Sequence, residues 1–86
     1  MNLNNFKKAI DLIAKREKGT LYKVYLLDGN SLTGEIIGLE HGTEIIMPEG
    51  VDSANQPTKI LLELSDSNDK IWVNIVNQAI DIEIVE

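Results

Sequence analysis

Residues 24–40, Val-Tyr-Leu-Leu-Asp-Gly-Asn-Ser-Leu-Thr-Gly-Glu-Ile-Ile-Gly-Leu-Glu, constrain this chain more than any other stretch. Two runs of aliphatic and aromatic residues flank Asp28-Gly29, the strongest short-range signal for a β-hairpin. Gly34 interrupts the returning strand, where a flat sheet gains nothing from it. A glycine in that place marks a sharp bend or a close backbone approach. A hairpin whose second strand bends hard curls a small sheet toward a barrel. Its register has two solutions. A strict two-residue turn pairs Leu32 with Tyr25 and sets Val24 and Leu26 opposite Thr33 and Ser31. A longer turn with a bulge unites Val24, Leu26, Leu32 and Ile36, and it is preferred because it buries more apolar surface.

The same segment resembles the first motif of the Sm-like family, which includes the LSm proteins and the RNA chaperone Hfq. That motif runs apolar strand, Asn/Asp-Gly, apolar, Gly, apolar, then an acidic residue. Gly29, Leu32, Gly34, Ile36 and Glu40 fall on it without gaps, with the two glycines five positions apart. Sm-like chains also begin with a short helix. The resemblance implies an all-β domain with an N-terminal α-helix, a small and strongly bent barrel of five or six antiparallel strands.

Eighty-six residues make one domain, spanning 1–86, with a modest core. There is no cysteine, so disulfides and thiolate metal sites are excluded. Three of the first five residues are asparagine, and no apolar run reaches the length of a signal segment or a membrane span. A soluble, cytoplasmic protein is expected. The net charge of −6 is unevenly spread. Residues 1–23 carry six cations against two acids, a net of +4, whereas residues 24–86 carry two lysines against twelve acids, a net of −10. So acidic a body argues against nonspecific binding to duplex DNA, which needs many neutralised phosphates. The basic N-terminal face is either a local anion site or simply a solvated helix surface.

Along the chain, residues 3–18 read as a helix, because Leu3, Phe6, Ala9, Ile10, Ile13 and Ala14 recur at three- and four-residue spacing. Asn2 suits the N-cap, Lys15, Arg16 and Lys18 suit the C-terminal end of the helix dipole, and Gly19 suits the stop. Phe6, Ile10 and Ile13 are expected to close one open end of the barrel, which spans about 20–86. From Thr20 the period changes to two, predicting strands near 20–28, 31–39, 43–48, 58–65, 70–76 and 79–85. Residues 50–57 have loop composition, and 65–69 form a turn rich in residues that hydrogen-bond their own backbone.

Both faces of the later strands are apolar. Ile71, Val73 and Ile75 oppose Trp72 and Val76, and Leu61 opposes Ile60, Leu62 and Leu64. A small barrel has one interior, so the outer apolar residues need a second cover, supplied by the helix or by another subunit. The final strand alternates, with Ile80, Ile82 and Ile84 against Asp81 and Glu83. In Sm-like rings the fourth strand of one subunit pairs with the fifth of its neighbour, which removes exposed edges. A homo-oligomeric ring is therefore expected, with Trp72, Val76, Ile82 and Ile84 at the interface.

Chemistry is sparse. With His41 the one histidine and no cysteine, the usual zinc sites are excluded. Ser31, His41 and Asp28 show no nucleophile-elbow spacing. Asp66-Ser67-Asn68-Asp69 begins like a calcium loop but lacks its sixth-position glycine and twelfth-position glutamate. No cofactor, no metal and no enzymatic activity are expected.

The resemblance implies instead that single-stranded RNA binds around a pore, by base stacking and polar contacts just past the first motif and in a second motif between the last two strands. Glu40 falls where the family's acidic residue orders the loop. The stacking position falls on Gly42, which has no ring, with His41 beside it. The position that reads uracil falls on Glu44, which offers no donor and repels phosphate. Asn77-Gln78-Ala79-Ile80 resembles Hfq's Lys-His-Ala-Ile, with amides in place of the basic pair. The run from Thr43 to Lys70 is longer than the family's, placing an insertion near 49–58. Uridine specificity is thus expected to be weak or altered. Candidate RNA-binding residues are His41, Asn77 and Gln78 at the pore, with Lys8, Lys15 and Arg16 as phosphate contacts on the helix. The plainer alternative makes His41 a loop residue, the two amides turn formers and the cations solubilising. On that alternative the ring is a non-catalytic scaffold or adaptor for protein partners.

Overall fold

The structure, a computed structural model, describes residues 1–41 and 57–85. Helix α1 (Leu3–Ala14) precedes five antiparallel strands: β1 (Leu21–Leu26), β2 (Ser31–Glu40), β3 (Lys59–Leu64), β4 (Lys70–Asn74) and β5 (Ala79–Ile84). Among the described residues they form one sheet in the order β4-β3-β2-β1-β5, open between β4 and β5. The predicted strand at 43–48 and nearly all of the 50–57 loop lie outside the described residues, as do Gly42 and Glu44.

The helix begins where the sequence places it, with the Asn2 side chain accepting the Asn5 N–H at 2.8 Å. It ends four residues sooner than expected, at Ala14. The apolar stripe finishes at Ile13 and Ala14, and the following Lys-Arg-Glu-Lys offers nothing to bury. Gly19 is consequently not the helix stop. It lies in a separate turn with φ +88°, where the Thr20 N–H reaches the Glu17 carbonyl at 3.1 Å. The Gly19 N–H donates to Glu35, which ties this turn to β2.

The preferred hairpin register is the one formed. Val24 lies opposite Leu32, Tyr25 opposite Ser31 and Tyr22 opposite Gly34. Residues 27–29 make a three-residue loop with Gly29 at φ +91°, and the Asp28 carboxylate accepts the Asn30 N–H at 2.9 Å. Gly34 marks a close backbone approach: a Cβ there would stand 2.2 Å from the Glu63 carbonyl oxygen. Three residues on, Ile37 is an extra residue between the pairs Ile36–Leu62 and Gly38–Leu61. Such a bulge bends its strand and increases the local twist.

A further constraint makes the sheet curl. In a flat five-stranded sheet the outer strands lie about 19 Å apart. Yet β4 and β5 are joined by residues 75–78 alone, in a turn where the Gln78 N–H bonds to the Asn74 carbonyl at 3.0 Å. The sheet has to fold over so that its two edges approach at this corner. Inside the curl sit Tyr22, Val24, Ile36, Ile60, Leu62 and Ile82, with Phe6, Ala9 and Ile13 of the helix closing over them. Each large side chain withdrawn from water there contributes about 1.5–3 kcal/mol.

Two surface expectations are corrected. Val76 does not stand on an outer face, because β4 ends at Asn74 and the chain then turns inward, leaving Val76 buried. The alternation of β5 is broken as well. A register shift opposite Tyr25 and Leu26 makes Ile80 an extra, exposed residue, while Ile82 is fully buried and Ile84 half-exposed. Val76 and Ile82 therefore belong to the core. Of the four residues expected at an interface, Trp72 and Ile84 are accessible.

Candidate functional site

The six residues expected to contact RNA fall into three settings. Lys8 projects from α1 onto β5, its ammonium 2.6 Å from the Asp81 carboxylate. Lys15 reaches back one turn to Asp11 at 3.2 Å. Arg16 donates to the Ile13 carbonyl at 2.9 Å, satisfying a helix-end acceptor. The helix cations are thus partly engaged by the chain itself.

Asn77 and Gln78 occupy the turn between β4 and β5, and they differ. The Gln78 carboxamide oxygen accepts the Asn74 N–H at 2.7 Å, while the Asn74 side chain accepts the N–H groups of Val76 and Asn77 at 2.8 and 3.1 Å. Gln78 is therefore a brace for the turn as well as an exposed amide. Asn77 is exposed, and its side chain takes no part in that bracing.

His41 is exposed and follows directly on β2. The strand ends around it are stitched together, with the Thr58 N–H donating to the Glu40 carbonyl at 3.0 Å and the Ile75 N–H to the Thr58 carbonyl at 2.9 Å. Those two bonds bring His41 to the end of the sheet from which the β4–β5 turn also leaves. Glu40 keeps Lys59 at a loose 4.0 Å.

The turn borders an open cleft of about 270 Å³ at the seam of the sheet. One wall is the hairpin, through Leu26, Leu27, Asp28 and Leu32, and the other is β4, through Ile71 and Trp72, with Asn77 and Gln78 of the following turn also lining it. Among the described residues, the seam gathers apolar side chains, two amides and the acid Asp28, but no cation.

Sequence reading passed over two residues that matter here, Asn5 and Asp81. The Asn5 amide donates to the Ile80 carbonyl at 2.9 Å. Asp81 accepts both the Lys8 ammonium and the Ile82 N–H, the latter at 2.8 Å. Partial burial works to raise the Asp81 carboxyl, but the bonds from Lys8 and Ile82 and the lysine's charge outweigh it and hold the carboxyl below its usual range. Asn5 and Lys8 are three apart on one helix face, a spacing that was legible. Their common target on β5 was not. Beside them, the Tyr25 hydroxyl donates to Glu83, and that bond, with burial and the charges of Glu83 and Asp81, pushes the phenol above its usual value.

Among the described residues, no helix is long and apolar enough to cross a membrane. No family model, no curated protein and no solved structure matches the chain.

Proposed function

We propose that this chain is an Sm-like subunit that assembles edge to edge into a homo-oligomeric ring and binds single-stranded RNA through that ring. One observation carries the reading: β4 and β5 are the two edges of a curled sheet. The resemblance gives those two strands to neighbouring subunits. An exposed edge is a template for pairing, and a ring satisfies every edge without leaving an open end. The pinch at Gly34 and the helix over the core agree with the same architecture. For RNA, His41 supplies an exposed ring for stacking, and Asn77 supplies an amide for base edges.

A second reading, a scaffold or adaptor ring that binds protein, has its own support. Lys8 and Lys15 are paired with acids, Gln78 braces its turn, and the net charge is −6. Phosphate gains less from cations already paired. Fluorescence anisotropy with short oligo-U and oligo-A across a salt series separates the two. The RNA reading predicts a salt-sensitive signal that His41→Ala and Asn77→Ala each weaken by about 1 kcal/mol, the scale of one stacked base. No binding to either strand at low salt leaves the adaptor reading in place.

A further inference from the structure

From the open edges of the sheet we infer the register in which one copy joins the next: Trp72 lies opposite Ile84 of the neighbouring copy, and Ile71 opposite its Val85. The inference rests on the assembly reading above and goes past it by fixing which residues meet.

Each edge is capped over part of its length by the chain's own side chains. On β4, the bonds from Ile75 to the Thr58 carbonyl and from Leu64 to the Asp69 carbonyl fix the ladder with β3. Alternation then turns the backbone groups of Lys70, Trp72 and Asn74 outward. The Asn74 N–H is already taken by Gln78. On β5, the bond from Val85 to the Leu21 carbonyl turns Asp81 and Glu83 toward β1 and Ile82 and Ile84 outward. The Ile80 carbonyl is taken by Asn5, and the Ile82 N–H by Asp81, which Lys8 holds in place. Among the described residues, what remains for an incoming strand is Lys70–Trp72 on one edge and the Ile84 end of the other.

Side chains choose among the registers left. Every described strand pair is antiparallel. With Trp72 opposite Ile84 in that direction, side chains exposed by 47% and 46% meet on one face, and Ile71 and Val85, exposed by 40% and 39%, meet on the other. The next outward pair is Asn74 with Ile82, so the two capped N–H groups face each other where the ladder stops. Sliding by two residues one way sets Ile71 beside Glu83 and runs the ladder onto the capped Ile82. Sliding the other way sets the capped Asn74 opposite Ile84. One register covers Ile71, Trp72, Ile84 and Val85 together and asks for no N–H that is already used. The partner is a second copy of this chain, because a head-to-tail junction uses both edges of every subunit.

The absence of cysteine makes the test clean. Ile71 and Val85 would form a non-hydrogen-bonded pair with Cα atoms about 4.5 Å apart, within disulfide range. The double variant Ile71→Cys with Val85→Cys, mildly oxidised, is expected to give a ladder of covalent multimers on a non-reducing gel. Ile71→Cys with Glu83→Cys, one register away, is expected to give at least tenfold less. Equal or stronger linkage in the second pair, or none in either while light scattering still reports a multimer, overturns the register and leaves assembly standing. A monomeric wild-type mass overturns both. A second measurement avoids thiols: Trp72→Lys and Ile84→Glu should each abolish the multimer, and the two together should restore it. Failure of that rescue in folded double variant, checked by circular dichroism, also counts against the register.

Discussion

A Cβ atom on Gly34 would stand 2.2 Å from the carbonyl oxygen of Glu63 on the neighbouring strand. The obstruction is backbone, which no rotamer change can relieve. Gly34→Ala is therefore expected to force β2 and β3 apart and to cost about 3 kcal/mol, the upper range for overpacking and a large share of a small domain's stability. Gly29→Ala meets no atom within 4 Å and pays only for its positive φ, about 1 kcal/mol. Urea midpoints at unchanged slope check the order of the two.

The cap at Asn2 makes a separable prediction. Its side chain satisfies the Asn5 N–H, and Asn5 in turn holds the Ile80 carbonyl. Asn2→Ala should destabilise by about 1 kcal/mol, and exchange of amide protons in α1 should rise with it. Phe6→Ala, which empties a buried site under the same helix, should cost about 3–5 kcal/mol.

The contact between Lys8 and Asp81 gives stability a pH dependence of known sign. The folded carboxyl titrates below its unfolded value. Its contribution is therefore present above an unfolded pKa of about 3.9 and is lost as pH falls through the lower folded value. Because both side chains are partly solvated, the effect is about 0.5 kcal/mol. Between pH 5 and pH 3 the wild type should lose more stability than Asp81→Asn, measured by urea titration at each pH. Equal losses would assign the acid sensitivity to other carboxylates.

Asn77 and Gln78 should part company when each is replaced by alanine. Gln78→Ala removes the acceptor for the Asn74 N–H and should lower stability by about 1 kcal/mol. Asn77→Ala leaves the bonds that brace the turn in place, since only its backbone takes part in them. It should be neutral in stability, so any loss of oligonucleotide affinity reports on contact. Parallel urea and anisotropy measurements on the two variants make the comparison.

The hairpin was legible because its information is local. Asp28-Gly29 sets the turn, Gly34 flags the pinch, and period-two burial selects the register that pairs Val24 with Leu32. The N-cap at Asn2 was legible for the same reason. What escaped depends on neighbours far apart in sequence. The bulge that exposes Ile80 arises opposite Tyr25 and Leu26, more than fifty residues away. The inward turn that buries Val76 follows from the Asn74 and Gln78 bonds. The stop at Ala14 reflects where the core-facing surface of the helix runs out rather than any terminating residue. Identity of a charged residue likewise says little about its use, since Lys8 looks like a phosphate contact in the sequence and holds Asp81 in the fold.

Joined edges are the claim on which the rest depends, and the mass of the untouched protein tests it most directly. At micromolar concentration, light scattering on the full chain should report one discrete multiple of 9.6 kDa, stable on dilution and lowered to the single chain by Trp72→Lys. A wild-type mass of 9.6 kDa at that concentration would mean that β4 and β5 remain bare edges in solution, and the ring would be contradicted.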